Sequence, residues 1–170
     1  MTAGSAPRPP RIEPGPGQES VWDYPRPPRV EAVPERLRVL VDGEVLAETT
    51  HGLRVLETAG PPAYYIPRDD VRMDRLSPSP HRTYCEWKGG ASYFSYVGRD
   101  RRIPNVGWTY ESPLPGYEAI AGHVAFYAQL VDEAWVGEER ATPQPGRYYG
   151  GWATSRIVGP FKGEPGSQGW

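Results

Sequence analysis

Cys85 and Lys88 stand three residues apart in the segment Cys85–Tyr93, CEWKGGASY. An ammonium within ~4–6 Å favours a thiolate, and a thiolate is a nucleophile. Strand alternation, however, puts Cys85 with Thr83 and Trp87 on one face and Lys88 with Glu86 and Tyr84 on the other. The pair meets only if the chain turns at Trp87. Free cysteine is among the most buried residue types, so a packed thiol beside Trp87, with a lysine required by the bend, is the competing reading. Tyr65–Asp70 is the second constellation. Arg68 could fork onto a carboxylate or phosphate, and Asp70 could act as a general base if desolvated. An Arg–Asp pair that stabilises a polar loop is the plain alternative. The aromatics are the third. Trp87, Tyr93, Trp108, Tyr110 and Trp152 suit a ligand wall or an ordinary core, because each combines an apolar face with a polar tip or edge.

Other chemistries are disfavoured. His51, His81 and His123 lie far apart, and none has zinc-ligand spacing with Cys85, the one cysteine. Each histidine is assigned a structural or solvent role, and neither metal nor cofactor is expected. No Ser–His–Asp order or phosphate-cradling glycine loop stands out. The net charge of −2 provides no basic excess to neutralise many phosphates, which disfavours nucleic acid. Met1–Pro10 lacks the apolar core of a signal peptide, and no apolar run approaches the ~20 residues that cross a bilayer. A cytoplasmic protein is expected.

The elements that must position these residues are short strands. Proline (21) and glycine (20) alternate with aromatics throughout the 170 residues, which points to strands joined by many turns. Met1–Pro34 holds nine prolines, and residues 1–18 read as a disordered arm. Residues 19–170 read as one domain, with Ser20–Pro28 extended against it. Leu37, Val39 and Val41 alternate with polar and apolar neighbours up to Asp42-Gly43, a hairpin turn of the primed type. Leu53–Glu57 and Ala63–Ile66 follow as strands, then Pro67–Leu76 as a polar loop or single helical turn. Arg82–Trp87 and Ala91–Val97 pair about Lys88-Gly89-Gly90. Tyr117, Ile120, Val124 and Tyr127 fall on one face at spacings of three and four, which predicts a helix near 117–127. Trp152, Phe161 and Trp170 predict that Gly150–Trp170 packs onto the domain and helps close a pocket.

Several stretches together resemble a known family: ESVWDYPRPP at Glu19–Pro28, LRVLET and YYIPRDDV within Leu53–Val71, CEWKGGASY, WTYESPLP at Trp108–Pro115, and PQPGRYYGGW with GPFKGEPG in Pro143–Trp170. They are similar to the domain of unknown function 427 family, in the longer form common in actinobacteria. The resemblance implies a compact, mainly β, mostly antiparallel fold of the β-tent type with one helix, and without paired zinc-binding cysteines. Members are sometimes labelled nucleotidyltransferase-like. This chain has no glycine-serine motif followed by paired aspartates on a strand, and Asp69 and Asp70 are adjacent, so on a strand they would face opposite ways.

The reading that follows is a small-ligand-binding domain, possibly an enzyme, with one pocket. Cys85, Lys88 and Asp70 are the catalytic candidates. Tyr65, Arg68, Trp87, Tyr93, Trp108, Tyr110 and Trp152 are the ligand-binding candidates. A protein-interaction or structural module without catalysis is the alternative. Neither substrate nor oligomeric state follows from the sequence.

Overall fold

The computed structural model describes residues 10–146, 148–167 and 169–170. Its strands are β1 (Glu19–Ser20), β2 (Arg29–Ala32), β3 (Leu37–Val41), β4 (Glu44–Thr49), β5 (Leu53–Leu56), β6 (Ala63–Ile66), β7 (Leu76–Cys85) and β8 (Gly89–Val97). There follow β9 (Arg102–Thr109), β10 (Val124–Phe126), β11 (Glu133–Val136), β12 (Glu139–Arg140), β13 (Thr142–Pro143), β14 (Trp152–Ala153) and β15 (Ile157–Val158). Among the described residues, helical structure is confined to single 3₁₀ turns, at Val21–Asp23, Arg68–Asp70, Met73–Arg75 and Glu118–Ile120.

Seven strands form one antiparallel sheet in the order β2-β5-β6-β10-β9-β8-β7, and four form a second in the order β12-β11-β3-β4. Alternation then sorts the side chains. Leu37, Val39 and Val41 of β3 meet Tyr64, Ile66, Phe94, Val124 and Phe126 in the larger core, between the two sheets. Their neighbours Tyr65, Tyr93 and Ala125 point the other way and build a second, aromatic cluster on the outer face of the large sheet, roofed by Tyr117 and Ile120. The fold is thus mainly β and antiparallel. The β3–β4 hairpin turns through Asp42 and Gly43, both at positive φ, as a primed turn requires.

The helix expected near 117–127 is not formed. Glu118–Ile120 makes one 3₁₀ turn, Gly122 at φ +70° ends it, and Val124–Phe126 is a central strand between β6 and β9. The apolar spacing has another cause. Tyr117 and Ile120 roof the outer cluster, whereas Val124 enters the inter-sheet core, and the chain turns between them. Val124, Ala125 and Phe126 are all buried, since a strand covered on both faces leaves no polar side to reveal its period of two.

The chain's ends close over this frame. Residues 1–9 of the expected arm lie outside the described residues. Arg11 binds Asp23, and Gln18 Nε2 donates to Ser155 O at 2.8 Å. The β1 strand pairs in parallel with β15, and Trp22 Nε1 donates to Pro160 O. The tail is docked: Trp152 is wholly buried in the inter-sheet core, where its Nε1 donates to Phe126 O at 2.9 Å.

Candidate functional site

The sequence candidates divide between the two faces of the large sheet. Tyr65, Tyr93, Trp108 and Tyr110 share the outer cluster, and Cys85 packs against it, partly buried. Trp108 Nε1 donates to Tyr65 OH at 3.2 Å, with the rings edge-on. The chain does turn after β7, and this sets Lys88 Nζ 5.8 Å from the centroid of the Tyr110 ring. Only 5% of Lys88 is exposed, and its Nζ donates to Glu57 at 3.1 Å. Burial pulls the ammonium down, but Glu57, Tyr110 and Cys85 outweigh it, so Lys88 stays above its ordinary value and charged.

The other candidates lie elsewhere. Trp152 packs on Tyr64 at 5.1 Å, across the sheet from Trp108. Asp70 accepts from Thr49 Oγ1 at 2.7 Å, which ties its 3₁₀ turn to β4. Arg68 donates to Gly122 O at 3.1 Å and to Glu111 at 2.5 Å, and lies 5.5 Å from the Phe94 ring centroid. It braces the turn before β10 rather than pairing with Asp70. Trp87 stands partly exposed in the β7–β8 turn. Cys85 and Lys88 each border the outer cluster, whereas Asp70, Arg68 and Trp152 are held by other partners.

The most developed concavity lies on the outer face beside Tyr93, with a volume of about 580 Å³. Strands β7, β8 and β9 build its floor, and each outer strand is bulged where it passes the hollow. The β7–β8 register breaks between Ser79 and Arg82, and the β8–β9 register breaks opposite Ser95. The first bulge presents His81, and the second presents Asn105 at φ +52°. A bulge re-aims a side chain by inserting extra residues against the partner strand. One hydroxyl joins the two devices: Ser79 Oγ donates to Asn105 Oδ1 and accepts from His81 N at 3.1 Å. Arg82 Nη1 donates to Ser79 O and His81 O, both at 2.7 Å, and pins the first bulge further.

Around this frame the lining is aromatic. The His81 and Tyr93 rings meet edge-on with centroids 4.5 Å apart, and Tyr93 OH shares a hydrogen bond of 2.9 Å with Thr83. Tyr127 backs onto Trp108 at 4.6 Å. Burial first, then hydrogen bonding to Tyr93, pushes the Tyr127 phenol up, so it stays protonated at neutral pH. Gln129, Leu130, Gly146 and Tyr148 complete the rim. Tyr148 is 86% exposed. Gly150 lies so close to Trp108 that a Cβ there would collide with the indole, which sets the course of the tail along the hollow's edge.

Of the hollow's lining, sequence reasoning named Tyr93 alone. His81, Thr83, Asn105, Tyr127, Gln129 and Tyr148 were missed as a group. The available signal was Pro80 before His81 and Pro104 before Asn105, two prolines beside polar residues inside strand-like runs.

A second cleft, of about 330 Å³, separates the chain's ends from β2. Arg54 sits in it between Glu19 and Glu31, at 2.5 and 2.6 Å. Arg156 pairs with Glu35 at 2.9 Å. Its principal charges answer one another, so this cleft works as a clasp.

Two comparisons with known proteins bear on this geometry. The family described as Domain of unknown function (DUF427) matches residues 29–137, and the chain belongs to that family. No curated protein matches the chain. The matched stretch spans β2 to β11, and so contains the large sheet, three strands of the small one and most of the hollow. Gly146 and Tyr148, with β1 and β12–β15, come from the flanks.

Proposed function

We propose that this DUF427 protein is a small-ligand-binding domain and that the hollow over β7, β8 and β9 is its binding site. The observation that carries the reading is the coupled pair of bulges. Two adjacent strand pairings are broken at one place, and Ser79 locks the result. Such irregularity forfeits ladder hydrogen bonds, and here it brings His81 and Asn105 to an aromatic hollow. The volume suits a small molecule, as do apolar walls with a few convergent polar groups. Cys85 packs against the aromatic cluster and Lys88 lies over Tyr110, and neither lines the hollow. Cys85 fits a reducing compartment, and we place the protein in the cytoplasm.

The test is a melting-temperature screen of the full chain against nucleosides, sugars, carboxylates and aromatic heterocycles. A ligand at ~100 times its dissociation constant adds roughly 2.7 kcal/mol. The expected hit stabilises the parent and loses its effect in His81→Ala. A hit that stabilises parent and His81→Ala alike refutes the hollow as the site.

A second reading, as a protein-interaction module, has one observation in its favour. Tyr84 is 73% exposed near the β7–β8 turn, close in sequence to the partly exposed Trp87. If that turn docks a protein, Tyr84→Ser with Trp87→Ser abolishes the association and leaves small-ligand binding intact.

A further inference from the structure

We propose that the second half of β7 pairs antiparallel with β7 of a second copy of this chain, about a two-fold axis at Tyr84, so that Arg82 of each copy meets Glu86 of the other. The inference is independent of the reading of the hollow as a ligand site.

The edges of the sheets point to it. A sheet edge exposes N–H and C=O groups that pair with another chain unless something prevents it. Three of the four edges of the two main sheets are so protected. Strand β2 has four residues, lies between Pro28 and Pro34 and carries Arg29 and Glu31. Strand β4 is covered, because Ala47 bridges to Val71 and Arg72 N donates to Leu46 O at 2.8 Å. Strand β12 has two residues, and Ser155 binds Glu139 there. Strand β7 is the exception, with ten residues and no strand beyond it among the described residues.

Only the first half of β7 is blunted. Pro78 and Pro80 have no N–H to offer, and Arg82 Nη1 already satisfies Ser79 O and His81 O in the bulge. The protection ends there. Arg82, Thr83, Tyr84 and Cys85 contain no proline and pair with β8 on one side alone.

The side chains of this half are uncovered too. Thr83 meets Tyr93, and Cys85 packs on the aromatic cluster, so both take the outer face. Arg82 and Tyr84 take the opposite one. Tyr84 is 73% exposed. Its cross-strand partner is Gly90, and a Cβ built there would meet nothing within 4 Å. Arg82 and Glu86 are exposed, and among the described residues neither has an ion-pair partner.

Charge identifies the occupant as a second copy. With Tyr84 opposite itself, Thr83 faces Cys85 and Arg82 faces Glu86, the latter pair at both ends of the ladder. The stretch Arg82–Glu86 is thus its own complement under a two-fold axis, as an isologous interface requires. Moving the axis to Thr83 sets Arg82 opposite Tyr84, and moving it to Cys85 sets Tyr84 opposite Glu86, and each leaves a charge unanswered. The axis at Tyr84 also gives each ring the cross-strand neighbour that Gly90 denies it.

The experiment is sedimentation velocity of the full chain from micromolar to millimolar concentration, with hydrogen exchange at the β7 amides that point away from β8. The expected result is a reversible dimer, weak because the pairing is short and weaker still in high salt. Those amides gain protection as the dimer forms. Glu86→Arg sets arginine against arginine at both ends and should weaken association about ten-fold. Tyr84→Ser should do the same. Both side chains are exposed, so the fold is kept. Arg82→Glu mixed with Glu86→Arg should associate more tightly than either variant alone, because opposite charges meet again. A parent chain that stays monomeric at millimolar concentration overturns the proposal, and so does a dimer indifferent to Glu86→Arg and Tyr84→Ser. Equal protection of the outward amides at every dilution would show that the chain covers its own edge, and would overturn it as well.

Discussion

Lys88 keeps an ammonium among aromatic rings because Glu57 answers it from the protein's margin. The two partners are unequal, since Lys88 is buried and the Glu57 side chain is half-exposed. Removing the acid leaves a buried cation, whereas removing the base leaves a carboxylate that water can reach. Glu57→Ala should therefore lower stability by about 1–3 kcal/mol, the cost of an unanswered buried charged group with water nearby. Lys88→Met, which fills the same space without charge, should cost under about 1 kcal/mol. Urea denaturation of the two variants checks the order. An equal or larger loss in Lys88→Met would show that the lysine does more than fill its place. The sequence drew attention to Cys85 and Lys88, and the β7–β8 turn sets Lys88 over Tyr110. What it hid was Glu57, thirty-one residues away, because a partner supplied by another strand leaves no local mark.

At the scale of elements, the tail holds the clearest consequence. Trp152 is wholly buried against Tyr64, and Gln144 reaches Gly151 N and Lys162 O. A chain ending at Gly146 loses that indole from the inter-sheet core, a loss of about 3–5 kcal/mol by the measure of large-to-small core changes. Its melting temperature should fall by roughly 6–20 °C, at ~2–4 °C per kcal/mol for a domain of this size. Calorimetry decides, and an unchanged midpoint would mean that the tail is dispensable. Aromatic spacing among glycines foretold the docking of Trp152, and alternation foretold the hairpins at Asp42-Gly43 and Lys88-Gly89. The strand β10 was illegible because both its faces are buried, so its residues showed no alternation and took on the look of a helix. The hollow was illegible for another reason. A bulge is a property of two strands in register, and Pro80-His81 and Pro104-Asn105 acquire meaning only once β8 lies between them.

Across the whole molecule, burial of phenols ties stability to alkali. Tyr64 is pushed up to about 12 by burial, and Tyr24, Tyr65, Tyr110 and Tyr127 are raised further for the same first cause. A raised folded-state value means that the fold holds its proton more tightly than the unfolded chain does. That contribution is fully present below pH ~10, the unfolded phenol's value, and is lost as pH rises through the folded values. On the acid side, Glu31 is held below its ordinary value. Burial opposes this, but Arg54 outweighs it, so its contribution is present above the unfolded carboxylate range and fades as pH falls through the folded value. Melting temperature should thus form a plateau between pH ~5 and ~10 and drop steeply beyond pH 10. A flat profile to pH 12 would contradict the buried-phenol account.

The parallel pairing of β1 with β15 also imposes an order in time. Glu19 waits for Ile157, and Trp22 for Pro160, so all the residues between them must leave the ribosome before either finds its partner. At ~5–20 residues per second, that interval lasts several seconds or more. Both sheets have their strands in hand before it ends, because β12, the last of them, closes at Arg140. During the wait, the Val21 and Leu56 surfaces that later seal against Ile157 stand open to water and to other nascent chains. The clasp is therefore a late joint in synthesis, and the interval before it shuts leaves a newly made molecule exposed to aggregation.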